Sequence, residues 1–235
     1  MKLALIGHGN MGKLIHKLAE EKGDEIVAII DSKNPLRTKS NSSISLADVC
    51  IDFSTPQTVL QNVKFLASLK KDIIMGTTGW DDDHLLKIKQ IIAESKTGFL
   101  YSPNFSIGIA LFLKIIDHAA KLMTSYTFSE SNPYEVAGIE MHHSKKLDSP
   151  SGTANAIANQ LNQYHSPPVV FSSVRVGSIP GTHSIIYDSP VDSITLTHTA
   201  RNREGFAEGA LTAAQWIIGK KGVFTLDDML VHCKD

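Results

Sequence analysis

The sequence predicts an α/β chain: an N-terminal doubly wound parallel sheet, then an α+β domain with a mixed or antiparallel sheet. Three observations carry that prediction. A short apolar strand runs into glycines that open a helix. Strand and helix then alternate through residues 1–105. Beyond that point strands follow one another with one helix among them, a pattern that does not build parallel crossovers.

The first strand, Lys2-Leu3-Ala4-Leu5-Ile6, leads into Gly7-His8-Gly9-Asn10-Met11-Gly12, after which Leu14, Ile15, Leu18 and Ala19 recur at helical spacing. Strand, G-x-G-x-x-G turn and helix together form the Rossmann-type dinucleotide fingerprint. The first glycine permits the tight turn and the second lets backbone approach a pyrophosphate. The helix start then offers unpaired N–H groups and a positive dipole end. The second strand, Glu25–Ile30, ends in Asp31, roughly 20 residues past the glycines, where a carboxylate takes the adenosine ribose hydroxyls. The competing reading is a glycine turn in another doubly wound fold, with Asp31 a solvated strand end.

The alternation continues with a strand at Val49–Phe53, a helix over Thr58–Ser68 and a strand at Asp72–Met75. A helix capped by Asp81 runs to about Ser95, and Gly98–Tyr101 forms the next strand. Ligands of such sheets lie beyond the carboxyl ends of the strands. Three turn-rich ends therefore form the cofactor edge with the glycine loop: Phe53-Ser54-Thr55-Pro56, Gly76-Thr77-Thr78-Gly79 and Ser102-Pro103-Asn104-Phe105.

The second half opens with a helix from Ile107 to Met123, with Leu111, Phe112, Ile115, Ile116 and Ala119 on one face. Strands are expected at Tyr134–His142, Val169–Val176, His183–Tyr187 and Ser193–Thr199, with a helix at about Thr153–Tyr164. A helix from Phe206 to Ile218 and a last short one, capped by Thr225, return to the first domain. The domains are thus residues 1–105 plus about 206–235 for the dinucleotide, and 106–205 for substrate and oligomerisation.

Composition sets the outer bounds. The 235 residues are 42% hydrophobic and 20% charged, with a net charge of −1. That balance leaves no footprint for nucleic acid or an anionic membrane. No apolar run reaches the ~18 residues of a spanning helix, and no signal peptide is expected ahead of the glycines. Two cysteines make no disulfide framework, Cys50 reads as core, and a reducing cytoplasm is the expected compartment.

The chemistry concentrates between Glu140 and Thr153. A strand ends in His142 and His143, a loop follows with Lys145 and Lys146, and Asp148-Ser149-Pro150 leads to Ser151-Gly152-Thr153 at a helix start. Histidine can supply a proton near neutral pH. Lys146 can hold a carboxylate, and Ser151, Gly152 and Thr153 aim hydroxyls and N–H groups at an anion. The set suits a small dicarboxylate. Adjacent strand residues face opposite ways, so His142 and His143 have different tasks. Adjacent histidines are poor ligand spacing, so no metal is expected. A solvated loop with Ser151 as a plain N-cap is the bland alternative.

These stretches resemble the 4-hydroxy-tetrahydrodipicolinate (dihydrodipicolinate) reductase family over nearly the full length. The resemblance rests on Gly7–Gly12, Asp52-Phe53, Gly76-Thr77-Thr78-Gly79, Asn104-Phe105-Ser106-Ile107-Gly108, His142 through Thr153, and Gly205-Phe206-Ala207-Glu208-Gly209-Ala210-Leu211. It implies an NADH- or NADPH-dependent reductase of a cyclic dicarboxylic imine, releasing water to give tetrahydrodipicolinate in diaminopimelate and lysine biosynthesis. It implies His142 as general acid, Lys146 as second catalytic residue, and His143, Gly152 and Thr153 as substrate contacts. Cofactor contacts would be Gly7, His8, Gly9, Asn10, Met11, Gly12, Asp31, Phe53, Gly76, Thr77, Thr78, Ser102, Pro103, Asn104 and Phe105. A homotetramer formed through the second-domain sheet is also implied.

The chain departs from the family pattern in places. The block commonly read His-His-Arg-His-Lys is here His142-His143-Ser144-Lys145-Lys146, Ala110 replaces a frequent Asn, and Phe128–Pro133 reads as a small insertion. Asp31 favours NADH, whereas Ser32 and Lys33 offer a 2′-phosphate contact. Two other classes fit parts of the sequence: an amino-acid or amine dehydrogenase, and a nucleotide-sensing module. Neither gives a reason for His142 and Lys146 beside an anion cradle.

Overall fold

The computed structural model describes residues 1–31, 33–34, 39–125 and 134–231. Ser32, the segment Phe128–Pro133 and Cys233 lie outside the described residues. The chain divides into two compact units, residues 1–106 with 204–235, and residues 107–203.

The first unit is a six-stranded, all-parallel sheet. Its strands are β1 (Lys2–Ile6), β2 (Glu25–Ile30), β3 (Val49–Asp52), β4 (Asp72–Met75), β5 (Gly98–Tyr101) and β10 (Gly222–Thr225), in the order β10-β5-β4-β3-β1-β2. Helices α1 (Asn10–Glu21), α2 (Val59–Ser68), α3 (Asp82–Ser95) and α6 (Glu204–Ile217) connect strands of this sheet, a 3₁₀ segment at Lys39–Leu46 lies between β2 and β3, and α7 (Leu226–Val231) follows β10. Such strands are covered on both faces, which is why Leu3–Ile6 of β1 and Val49–Ile51 of β3 read as apolar runs. Leu3, Ala4, Leu5, Val49, Cys50 and Ile51 are all buried. Each larger side chain there gains about 1.5–3 kcal/mol from leaving water. Asp81 caps α3 by accepting from the His84 N–H at 2.9 Å, and Thr225 and Asp228 cap α7 reciprocally.

The order reverses at β1, which lies between β2 and β3. That switch point is where an open parallel sheet leaves a crevice for a ligand. Strand β10 is absent from the sequence reading, which goes straight from α6 to the last helix. It is only four residues long, follows Lys220 and Lys221, and is half-buried. Pairing with β5 makes it a strand.

The second unit is a four-stranded mixed sheet in the order β7-β6-β8-β9. Strand β6 (Glu135–His142) pairs parallel with β7 (Phe171–Arg175) and antiparallel with β8 (Thr182–Asp188), which pairs antiparallel with β9 (Ser193–Thr199). Helices α4 (Ile107–Ser125) and α5 (Gly152–Leu161) cover one face. There Phe112, Ile116, Ile157 and Leu161 pack with Ile185 and Tyr187. Asp117 of α4 accepts from Gln160 of α5 and from Tyr164 just beyond it, at 2.5 and 2.6 Å. Strand residues alternate between the helix-covered and open faces, so Val136, Gly138, Glu140 and His142 share the covered one.

Candidate functional sites: the glycine edge and the Glu140–His142 cluster

In the first unit the candidate residues converge at the switch point. Gly7 has φ +90°, and a Cβ there would lie 2.3 Å from the Phe53 carbonyl oxygen. A Cβ on Gly12 would lie 2.1 Å from the Gly7 carbonyl oxygen. These glycines close the turn so that α1 can start against β1 and β3. Gly9 meets nothing within 4 Å. It is the N-cap of α1, makes no side-chain cap bond, and the first turn carries no acidic residue. Open space above uncapped N–H groups at a dipole's positive end fits a pyrophosphate, so the residues present match a dinucleotide. His8 is turned along α1, its Nε2 lying 3.2 Å from His16 Nδ1. Asn10 and Met11 occupy the first helical turn.

Asp31 directly follows β2, and its carboxylate accepts from the Lys33 and Asn34 N–H groups at 2.8 and 2.9 Å. Those bonds, led by Asn34, hold it below the usual carboxylate range. It is therefore an anion, as ribose recognition needs.

The remaining loops are tied together by a residue the sequence reading did not single out as functional. Asp52, fully buried at the end of β3, accepts from Ser54 N–H at 2.9 Å, Asn62 Nδ2 at 2.8 Å and Thr77 Oγ1 at 3.1 Å. Burial pushes its carboxyl up, and those donors oppose the rise. Phe53 packs against Phe105 at 5.9 Å between ring centroids, and a Cβ on Gly76 would lie 2.2 Å from the Phe53 ring. Within the third loop, Ser102 Oγ donates to the Asn104 carbonyl at 2.7 Å. Thr77, Thr78, Ser102 and Pro103 line a cleft of about 230 Å³ with Trp80 and Tyr101. The Trp80 indole N–H donates to the Thr77 carbonyl at 2.6 Å.

In the second unit the candidates surround the end of β6. Glu140 and His142, two apart on one strand, face the same way. Register sets Arg175 of β7 beside His142 and His183 of β8 beside Glu140. The Glu140 carboxylate accepts from Arg175 at 2.6 and 3.0 Å, from the Ser151 N–H at 3.3 Å, and from His142 Nδ1. Burial raises the Glu140 carboxyl, but the groups facing it, led by Arg175, outweigh that and hold it at about 2. Burial lowers the His142 imidazole, Glu140 opposes that, and Lys146 and Arg175 add to it. His183, stacked edge-on to His142 at 5.2 Å, is pushed by burial down to about 4.

Ser151 caps α5, accepting from the Ala154 N–H at 3.1 Å, and its Oγ lies 3.1 Å from His183 Nε2. Gly152 and Thr153 follow in the first turn, with open space where a Gly152 Cβ would sit. His143 lies just past β6, where its N–H donates to the Ile179 carbonyl at 2.8 Å. Lys146 is ion-paired to Asp148 at 2.8 Å, so an incoming carboxylate would compete with a half-exposed acid. Ser144 precedes Lys146 in the same loop, its N–H donating to the Gly177 carbonyl at 3.2 Å.

The structure thus groups His142, Lys146, Ser151, Gly152 and Thr153 around one loop and one helix start. It adds Glu140, Arg175 and His183, none of which the sequence reading gave a role. Strand alternation could have flagged Glu140, two residues before His142. Arg175 and His183 carry no local signal, because strand pairing alone brings them in. Ligand-type atoms of Glu140, His142 and His183 lie within 4.8 Å of one another, a grouping that the adjacent-histidine spacing does not reveal. Arg175 already engages both Glu140 oxygens, so we read this as a hydrogen-bonded network.

Comparisons with known proteins agree with both halves. Residues 1–105 match the family model described as dihydrodipicolinate reductase, N-terminus, and residues 108–230 match its C-terminus counterpart. The chain is 34% identical over 242 residues to a 4-hydroxy-tetrahydrodipicolinate reductase of Christiangramia forsetii, covering 98% of each chain. It is 32% identical to that of Lawsonia intracellularis, covering 98% of this chain and 99% of the relative. A dipicolinate-bound dihydrodipicolinate reductase from Paenisporosarcina sp. TG-14 shares the fold at TM-score 0.80 and 24% identity, covering 96% of this chain and 97% of that one. The chain belongs to the dihydrodipicolinate reductase family, whose members are pyridine-nucleotide oxidoreductases.

Proposed function

We propose that this chain reduces 4-hydroxy-tetrahydrodipicolinate to tetrahydrodipicolinate, with loss of water, using NADH or NADPH in diaminopimelate and lysine biosynthesis. The observation that carries the reading is the grouping of His142, Lys146 and the α5 N-terminus on one short segment of the second unit. A dianionic imine needs fixed positive partners, and Lys146 with the N–H groups of Gly152 and Thr153 supplies them. His143 adds a polar contact beside them. A bound reduced nicotinamide would supply the hydride; the protein's part is to hold, orient and protonate.

Residues 1–106 with the closing helices would hold the nucleotide. Gly7, Gly9 and Gly12, with Asn10 and Met11 at the α1 start, would take the pyrophosphate, with His8 beside them. Asp31 would take the adenosine ribose, and the loops of Phe53, Gly76–Thr78 and Ser102–Phe105 would line the reacting end. Residues 107–203 would bind substrate and pair subunits. His142 would donate the proton. Burial lowers the proton affinity of its imidazole in the free protein, and a neighbouring dianion raises it, so substrate binding itself would load the acid.

The open face of the second sheet carries Ala137, Ile139, Met141, Val174 and Ile186, partly or well exposed. That surface supports a homotetramer paired sheet to sheet. Among the described residues no helix is long and apolar enough to cross a membrane. We place the enzyme in the cytoplasm, with no nucleic-acid partner.

The direct test follows nucleotide oxidation with freshly generated 4-hydroxy-tetrahydrodipicolinate. Turnover on that imine supports the reading; turnover only on other imines or ketones, or binding without turnover, overturns it. Comparing kcat/KM for NADH and NADPH tests Asp31, and a large NADPH preference would refute its role. Sedimentation measures the subunit number.

A further inference from the structure

We infer that Glu140, clamped by Arg175, is the positioning residue of the second-unit site, fixing the His142 tautomer and anchoring the N-cap of α5 with one carboxylate. The inference rests on the proposed role of His142 for its catalytic meaning, but its geometry stands alone. Glu140 is fully buried. Such a charge is tolerated only when its lone pairs are filled. They are: Arg175 Nη1 and Nη2, the Ser151 N–H and His142 Nδ1 all donate to it.

An ionised carboxylate only accepts, so the proton on the His142 ring is at Nδ1. Nε2 is then the nitrogen available to a ligand. It lies beside Gly181, where a Cβ would sit 3.0 Å away. The Ser151 bond joins the same carboxylate to the helix start that would receive the substrate anion. One side chain thereby sets the proton-transfer atom and the anion cradle relative to each other. The charged and titratable groups facing His142 are Glu140 on its own strand, Arg175 on β7, His183 on β8, and Lys146 on the following loop with its partner Asp148.

Glu140 and Arg175 act on His142 with opposite sign, and this separates positioning from plain structural support. The wild-type ring is read first by nitrogen NMR, without substrate. Above its titration it should report the Nδ1–H tautomer; a dominant Nε2–H form overturns the inference. Next, Glu140→Gln should move the His142 titration to lower pH by about one pH unit or more. Arg175→Gln should move it to higher pH. The alkaline limb of kcat should move the same way in each variant, with kcat of Glu140→Gln down about tenfold near neutral pH. Unmoved titrations, or shifts of the same sign in both folded variants, overturn it. If a variant fails to fold, the wild-type tautomer still decides. A protein inactive on the imine that shows the tautomer and the opposed shifts would refute the proposed function and leave this inference standing.

Discussion

Ser151→Ala tests whether the second-unit site is built as a mechanical whole. The Ser151 hydroxyl has two tasks: it accepts from the Ala154 N–H at 3.1 Å and meets His183 Nε2 at 3.1 Å. Losing the cap costs about 1 kcal/mol. Losing the second contact strands Nε2 of a histidine that is only 3% exposed, and its Nδ1 already finds no partner among the described residues. A buried polar atom left unpaired costs about 1–3 kcal/mol. The sum, about 2–4 kcal/mol, should lower Tm by roughly 9 °C for a chain of this size. Urea unfolding of wild type, Ser151→Ala, His183→Ala and the double variant isolates the contact, with an expected coupling of about 1 kcal/mol. Coupling indistinguishable from zero would refute the Ser151–His183 bond. Loss of less than about 0.5 kcal/mol (the noise of a surface substitution) in Ser151→Ala would refute the account of the cap as well.

Three further outcomes are expected. His142→Ala and Lys146→Ala should each cut kcat by about 10²-fold or more, the scale of positioned acid–base groups; steady-state rates at wild-type level in either would refute the roles. Gly9→Ala should leave urea stability within about 0.5 kcal/mol, since its Cβ finds open space, yet should raise the KM for nucleotide about tenfold or more by filling the pyrophosphate approach; equal loss in both measurements would show a plain packing role. Stability should also fall on acidification. His183 titrates at about 4 when folded against an ordinary 6.5, so the unfolded chain binds more protons in between. The stabilisation is present above about pH 6.5 and is lost as pH falls towards 4. Urea unfolding at several pH values should show this slope, and His183→Gln should flatten it.

Much of the nucleotide half was legible in the order of residues, because its signals are local. A glycine that must adopt φ +90°, a carboxylate at a strand end and Asp81 at a helix start each act within a few positions of themselves. The same holds for the segment from His142 to Thr153, where strand end, lysine loop and N-cap are contiguous. Non-local features leave no such mark in the order of residues. Gly222–Thr225 has too few residues to show a period and becomes a strand only by hydrogen-bonding to β5. Asp52 looks like one more buried-strand residue until Asn62 and Thr77 reach it from 10 and 25 positions away.

The primary structure by itself therefore determined the two-part α/β plan, the glycine turn and the identity of the candidate proton donor and cation. Only the tertiary structure decided how His142 is held. Arg175 lies 35 residues beyond Glu140, and His183 lies further still, so no local pattern around His142 can report either of them. Pairing of β6 with β7 and β8 is what puts all four side chains in one cluster.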